Sequence, residues 1–266
     1  MVGDYAIGQK FLKVNLFKKM ISWIFIKVNE KQQNDAIKKC LTFVNSKLLF
    51  QKYKNKSLKL VEVKTTTLTE QDFFSREDTC KNSIIQLLYT GRLDMSKGIL
   101  ELLLACQLLS KDNIDYRLNI VGWEENIKSP VENFIKVKSH ELGIKDHVIM
   151  HGKKEAGFEL NKMYQFADIY ILPSYHEGFP RTIWEAMANC LPVISTNVGS
   201  IPYYLKNEKH ALLIEPKKTT ELYEAIKKIL NNHELRRLII EKSFDYVQDV
   251  TLEKQTPRII QKLRYV

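Results

Sequence analysis

Glu177 and Glu185 stand in the stretch Pro-Ser-Tyr-His-Glu-Gly-Phe-Pro-Arg-Thr-Ile-Trp-Glu-Ala-Met-Ala, residues 173–188. An apolar run, Ile169 to Leu172, precedes it, and a second, Pro192 to Ser195, follows. The order is strand, loop, helix, strand, which puts Glu177 in a loop at a strand's carboxyl end. Pro180 suits the first helical position, where its missing N–H would be unpaired in any case. The backbone N–H groups of Arg181, Thr182 and Ile183 would then lack intrahelical partners. Such a helix start attracts anions, phosphates above all. Glu185, about a turn and a half further in, can accept hydrogen bonds from neutral hydroxyls. A carboxylate before a phosphate-binding helix start and another within it describe a pocket for a sugar joined to a nucleotide.

Two cations fit the same chemistry. Arg92 and Lys97 follow the apolar run Ile84–Thr90, at a strand end and the next helix start, placed to clamp a diphosphate. Breaking an anomeric C–O bond leaves negative charge on that group, and the site must stabilise it.

The elements that would position these residues read as alternating apolar and amphipathic segments from Ile84 onward. Strands are expected at Ile84–Thr90, Tyr116–Val121, His147–Met150, Asp168–Leu172, Pro192–Thr196 and Ala211–Ile214. Helices are expected at Lys97–Leu109, Val131–Leu142, Glu159–Phe166, Pro180–Asn189, Tyr203–Lys206, Thr220–Leu230 and Glu234–Val247. This is an α/β, doubly wound, parallel six-stranded sheet. Gly91, Gly122, Gly152 and Gly178 all fall at carboxyl ends of strands, where such sheets bind ligands.

Several blocks together resemble family 4 of the retaining glycosyltransferases. They are Glu-x7-Glu in its Pro-Ser and Glu-Ala-Met-Ala setting, Tyr89-Thr90-Gly91-Arg92-Leu93 with Lys97-Gly98, Ile120-Val121-Gly122, Gly152, and Pro192-Val193-Ile194-Ser195-Thr196. The resemblance implies a GT-B fold whose C-terminal, Rossmann-like domain binds a nucleotide-sugar donor without a divalent metal or other cofactor. It implies that Glu177 contacts the transferred sugar, with the Gly178 and Phe179 backbone close by, and that Glu185 holds the ribose hydroxyls. Arg92 and Lys97 take the diphosphate in that scheme, and Gly152 places backbone against the base. The acceptor would be a saccharide or lipid-linked molecule, and the product a surface polysaccharide or glycolipid. The chain departs from the family pattern at Cys190, where Gly is usual, and at Gly199-Ser200-Ile201-Pro202-Tyr203, where Gly-Gly-x-x-Glu is usual.

The front of the chain reads differently. Helix is expected over 10–40, a strand at Leu41–Val44, a helix at Lys47–Tyr53 and a strand at Leu58–Val63. On the family pattern, residues 1–64 correspond to a short remnant of a second α/β domain on the acceptor side. Residues 65–83 read as a polar linker, 84–250 as the donor domain and 251–266 as a helix returning toward the N-terminal part. A donor-binding subunit that needs a separate acceptor domain is therefore the alternative reading.

Charge divides the same way. Of a net +10, residues 1–83 contribute 16 Lys or Arg against 8 Asp or Glu, a net of +8. The remaining residues contribute 25 against 23, a net of +2. This suits either an anionic partner or a solvated lysine-rich face. The helix around Trp23 is broadly apolar. It suits a membrane interface, or packing on a partner chain or on further parts of its own domain. Nucleic acid is disfavoured, because the basic residues lack interleaved aromatics on one face.

The four cysteines are scattered, with no Cys-x-x-Cys pair and no His at metal spacing, so disulfide scaffolding and a zinc site are not expected. The start shows no signal peptide, and Phe11–Val28 carries four lysines. A cytoplasmic location is expected, peripheral on the inner face of the membrane if the basic front docks there. His176 reads as a loop residue rather than a general base, Cys190 as a buried packing thiol, and Tyr203 and Tyr204 as packing residues.

Overall fold

The computed structural model describes residues 16–57, 59–126 and 128–264. The expected helix start at residue 10 lies outside these residues, as does the Leu58 start of a strand. The chain divides into two compact units, one up to Lys64 together with Pro257 onward, the other Thr65–Thr256.

The first unit holds α1 (Leu16–Lys39), β1 (Thr42–Val44), α2 (Lys47–Tyr53) and β2 (Leu60–Glu62). β1 and β2 pair in parallel, Thr42 opposite Leu60 and Val44 opposite Glu62. Ser46 caps α2 by accepting from the Leu49 N–H at 3.2 Å. On α1, Met20, Ile21, Trp23, Ile24, Phe25 and Val28 are all exposed.

The second unit contains β3 (Ile85–Thr90), β4 (Tyr116–Val121), β5 (Val148–Gly152), β6 (Ile169–Leu172), β7 (Val193–Thr196) and β8 (Leu212–Ile214). Every pairing is parallel, in the order β5-β4-β3-β6-β7-β8. The connecting helices are α3 (Ile99–Lys111), α4 (Pro130–Glu141), α5 (Phe158–Phe166), α6 (Arg181–Ala188), α7 (Ile201–Tyr204), α8 (Thr219–Asn231) and α9 (His233–Val247). α10 (Leu252–Arg264) spans the division between units. The expected fold class, a doubly wound six-stranded parallel sheet, is the observed one. Its central strands are apolar on both sides because helices cover both faces: Leu87, Leu88, Ile169, Ile171, Val193 and Ile194 are all fully buried. The chain runs outward from β3 in one direction and from β6 in the other. The sheet's switch point is therefore the gap between those two strands, where the loops diverge and leave a crevice.

Residues 65–83, expected as a linker, belong to the second unit and are bonded into it. Arg76 donates to the carbonyls of Asn189, Gln165 and Tyr164 at 3.2, 3.0 and 3.1 Å. Asp78 accepts two bonds from Arg236, at 2.7 and 2.9 Å, with both side chains 6% exposed. The Cys80 N–H donates to the Asp168 carboxylate at 2.7 Å. Buried polar groups that need partners, rather than hydrophobic periodicity, tie this strap down.

Candidate active site

Three loops converge on the switch point. The loop after β3 starts at Gly91, whose N–H continues the sheet by donating to the Val121 carbonyl at 3.0 Å. The two loops leaving β3 and β4 then touch so closely that a Cβ on Gly122 would lie 1.9 Å from the Gly91 oxygen. Only glycine fits there. Tyr89, buried in the core, donates from its hydroxyl to the Arg92 carbonyl at 2.9 Å and so fixes the backbone from which that cation projects. The Arg92 side chain is half exposed, its nearest carboxylate being Glu125 at 3.7 Å.

Beyond it, Asp94 accepts from both the N–H and the hydroxyl of Ser96, at 2.8 and 2.6 Å, and starts the short turn Met95–Lys97. Burial pushes the Asp94 carboxyl up. The Ser96 hydrogen bonds and the charges of Arg92 and Lys97 outweigh that and hold it below the usual carboxylate range. Gly98 closes the turn at φ 71°, and a Cβ on it would lie 2.0 Å from the Pro173 oxygen.

That contact locks the β3 loop to the β6 loop. The Tyr175 N–H donates to the Ser96 carbonyl at 2.8 Å, and Lys97 Nζ meets Glu177 Oε1 at 2.6 Å. The loop after β7 presses from the other side. A Cβ on Gly199 would come within 1.8 Å of the Glu177 oxygen, and the Ser200 N–H donates to the Gly178 carbonyl at 2.8 Å. Glu177 is thus held by backbone packing from two loops and by one cation. Its side chain is 11% exposed.

Glu185 is held from different quarters. One oxygen accepts from the Thr67 hydroxyl at 3.0 Å and the other from the Tyr164 hydroxyl at 2.8 Å. On the inner side of α6, Trp184 stacks on Phe179 with centroids 4.0 Å apart, which anchors the helix to the loop. α6 begins one residue later than expected. Pro180 is the N-cap in an extended conformation, with φ −78° and ψ 126°. Its carbonyl accepts from the Ile183 N–H at 3.2 Å. Ile183 therefore has its amide engaged and its side chain fully buried in the core, so the leading amides of the helix are those of Arg181 and Thr182.

Gly91, Arg92, Lys97, Gly122, Glu177, Arg181, Thr182 and Glu185 line one cleft of about 550 Å³ at the switch point. Its size is that of a small-molecule site. Gly152, Gly178, Phe179 and Ile183 are not on its wall: the Gly152 carbonyl accepts from the Gly122 N–H at 2.9 Å, and Phe179 packs on Trp184. Trp123, which stands after Gly122 where the family commonly has a second Gly, also lines it, as do Thr67, Lys153 and Lys154, which no expectation named. The pair Lys153-Lys154 directly after Gly152 was a visible signal; Thr67 had none. With Arg92, Lys97, Lys153, Lys154 and Arg181 against Glu125, Glu155, Glu177 and Glu185, the cleft mixes five cations with four carboxylates. Such a site suits a polyanion that carries hydroxyl-rich groups.

Cys190 is buried, and burial raises its thiol above the usual range. It adopts φ 51°, in the region that favours the glycine usual at this position. Tyr204 packs edge-on against Phe179 at 5.0 Å, whereas Tyr203, expected to pack, is exposed. Among the described residues no group of three or more His, Cys, Asp or Glu is arranged to hold a metal ion.

Comparison with known proteins bears on this site. Residues 71–245 match the family model described as glycosyl transferases group 1. An uncharacterized glycosyltransferase of Haemophilus influenzae is 30% identical over 169 residues, covering 63% of this chain and 46% of that protein. A putative teichuronic acid biosynthesis glycosyltransferase of Bacillus subtilis is 33% identical over 139 residues, covering 52% of this chain and 31% of that one. The chain thus spans less than half the length of these curated relatives. The crystal structure of Anabaena HepE in complex with UDP-glucose superposes with a TM-score of 0.76 at 16% identity, covering 90% of this chain and 68% of that one. At that identity the likeness speaks for the fold alone. The family model spans the strap's later part, the whole sheet and all three converging loops, and on that match this chain belongs to the glycosyl transferases group 1 family.

Proposed function

We propose that this chain is a hexosyl-type glycosyltransferase that binds a nucleotide-diphosphate sugar in the switch-point cleft. It transfers the sugar with retention to a saccharide or lipid-linked acceptor, in the making of a surface polysaccharide or glycolipid. The observation that carries this reading is the separate anchoring of two carboxylates on one wall, facing a cleft that also holds Arg92 and Lys97. Arg92, Lys97 and the Arg181 and Thr182 amides neutralise the diphosphate as its bond to the sugar breaks, so no divalent metal is needed. Glu177 accepts from sugar hydroxyls and Glu185 from the ribose. The biosynthetic name of the Bacillus relative and the UDP-glucose bound by HepE support the same direction.

Titration calorimetry with uridine and guanosine diphosphates, with and without chelator, tests this. Binding is expected in both conditions, with Arg92→Ala weakening it by about 1.5–3 kcal/mol for a lost charge-assisted bond. Binding that disappears in chelator would sink the metal-free clamp.

The exposed apolar residues of α1 favour a second element of the reading, association of this surface with another subunit or an anionic membrane. Among the described residues no helix is long and apolar enough to cross a membrane. In this reading a membrane-bound form is peripheral, on the inner face. Deleting residues 1–40 is expected to abolish sedimentation with anionic vesicles, or subunit association, while nucleotide binding persists.

A further inference from the structure

Two residues outside the expected donor machinery determine how Glu185 presents its oxygens. Thr67 lies on the strap before β3 and donates to Oε1 at 3.0 Å. Tyr164 lies near the end of α5 and donates to Oε2 at 2.8 Å. Both precede Glu185 in the chain, by 118 and 21 residues, on separate elements.

The Tyr164 bond is part of a directional chain. Tyr164 is fully buried, and its hydroxyl also lies 2.7 Å from Thr90 Oγ1. Tyr164 has one hydroxyl proton, and a carboxylate only accepts. With that proton given to Glu185, the Thr90 hydroxyl must donate to Tyr164. The Tyr170 hydroxyl also lies near Thr90 Oγ1, at the longer distance of 3.3 Å, and donates its own proton to the Thr90 carbonyl at 3.4 Å. Burial, and after it the Glu185 charge, keep the Tyr164 hydroxyl well above its usual titration range, so the donor persists at any working pH. A bond fixed inside the core cannot rotate away as a surface bond can.

A carboxylate offers about two acceptor sites on each oxygen. Thr67 and Tyr164 take one site on each, which leaves capacity for a second bond on each oxygen of a residue that lines the cleft. Two free acceptors at carboxylate spacing match two adjacent hydroxyls on one ring.

We infer that Thr67 and Tyr164 are positioning residues that preset the Glu185 carboxylate to recognise a vicinal diol, the ribose 2′- and 3′-hydroxyls of the donor. This rests on the donor reading of the cleft, and extends it to which groups orient the acceptor. Tyr164 lies off the cleft wall, and Thr67, although on that wall, acts in this scheme through Glu185.

The test combines protein variants with ligand variants, using the full chain. Affinities are measured for uridine and guanosine diphosphates and for their 2′,3′-dideoxy analogues. The unaltered protein should prefer the ribonucleotide by at least about tenfold, the scale of one hydrogen bond to a charged group. Tyr164→Phe and Thr67→Val should narrow that preference to about threefold or less, through weaker ribonucleotide binding alone. Thr67→Ser, which keeps the hydroxyl, should restore it. A merely structural role would weaken both ligands by the same factor. That outcome, or an unchanged preference in both variants, overturns the positioning role while the donor reading stands. Equal affinity of the unaltered protein for both ligands overturns it too. Binding of neither nucleotide removes the donor reading itself, and this inference with it. Thr67 is exposed, so its variant remains informative even if Tyr164→Phe fails to fold.

Discussion

Lys97 Nζ lies 2.6 Å from Glu177 Oε1, a contact between the loop after β3 and the loop after β6 across the sheet's switch point. The pair joins the residue expected to hold phosphate to the residue expected to hold sugar. A ligand carrying both groups would meet a cation and a carboxylate already placed against one another.

The two glutamates should separate by ligand. Glu185→Ala is expected to weaken both the nucleoside diphosphate and the intact nucleotide sugar, by about 1–3 kcal/mol. Glu177→Ala should weaken only the intact donor, or its turnover. Calorimetry with both ligands on both variants decides. Equal losses everywhere would contradict the assignment.

Gly199 is expected to act through Glu177. An alanine there would place its Cβ 1.8 Å from the Glu177 backbone carbonyl oxygen, and the backbone sits at φ 59°. Gly199→Ala should therefore lower stability by about 1–3 kcal/mol and displace the Glu177 loop. Intact-donor binding should suffer while nucleoside diphosphate binding holds. Normal donor affinity in a folded G199A protein would show that the loop does not depend on this contact.

Asp78 and Arg236 form a buried pair, with His233 Nε2 a further 3.0 Å from the same carboxylate. Asp78→Ala would strand a guanidinium in the interior and should cost about 3–5 kcal/mol in urea unfolding. Nucleotide affinity at low temperature should be untouched. A loss below about 1 kcal/mol, the scale of a surface pair, would mean water reaches the site on truncation.

Acid should destabilise the fold through two histidines. His151 lies 2.8 Å from Asn119 Oδ1, and the His210 ring nitrogen accepts from the Lys206 N–H at 3.2 Å. Burial, and then the charge of Lys154 in one case and of Lys209 and Lys206 in the other, lowers both below the ordinary histidine range. The unfolded chain thus binds more protons, and stability rises with pH. It is complete above about pH 6.5, the unfolded value, and is lost as pH falls through the lowered folded values. Thermal midpoints between pH 7.5 and 5.5 should drop, and the double variant His151→Gln, His210→Gln should flatten that slope. An unchanged slope would assign the acid response to other groups.

Most of the sheet was legible in the sequence because strands buried on both faces leave unbroken apolar runs. Leu87 to Tyr89 and Ile169 to Leu172 could hardly sit elsewhere. That Arg92, Lys97, Glu177 and Glu185 share one cleft was legible because three of them follow strand ends that meet and the fourth sits in the helix leaving one of those ends. The strap was not. Arg76 is satisfied by three backbone carbonyls, and a carbonyl has no side-chain identity to read. The start of α6 was misjudged by one residue because Pro180 tolerates both the N-cap and the first helical position; the Ile183 N–H bond to its carbonyl selects the former. Thr67 became a partner of Glu185 only through tertiary folding, which no local pattern records.

The strap also sets where the second unit can be cut. A fragment begun at β3 would remove Arg76, Asp78 and Cys80, leaving Arg236 and the Asp168 carboxylate short of the partners that offset their burial. One begun at residue 71 would keep those bonds yet lose Leu68, which is 2% exposed and whose carbonyl accepts from the Leu252 N–H at 2.8 Å. It would also lose the Thr67 hydroxyl. The smallest piece that carries its own complete cleft wall therefore begins near Thr65, some twenty residues ahead of the first strand of its sheet.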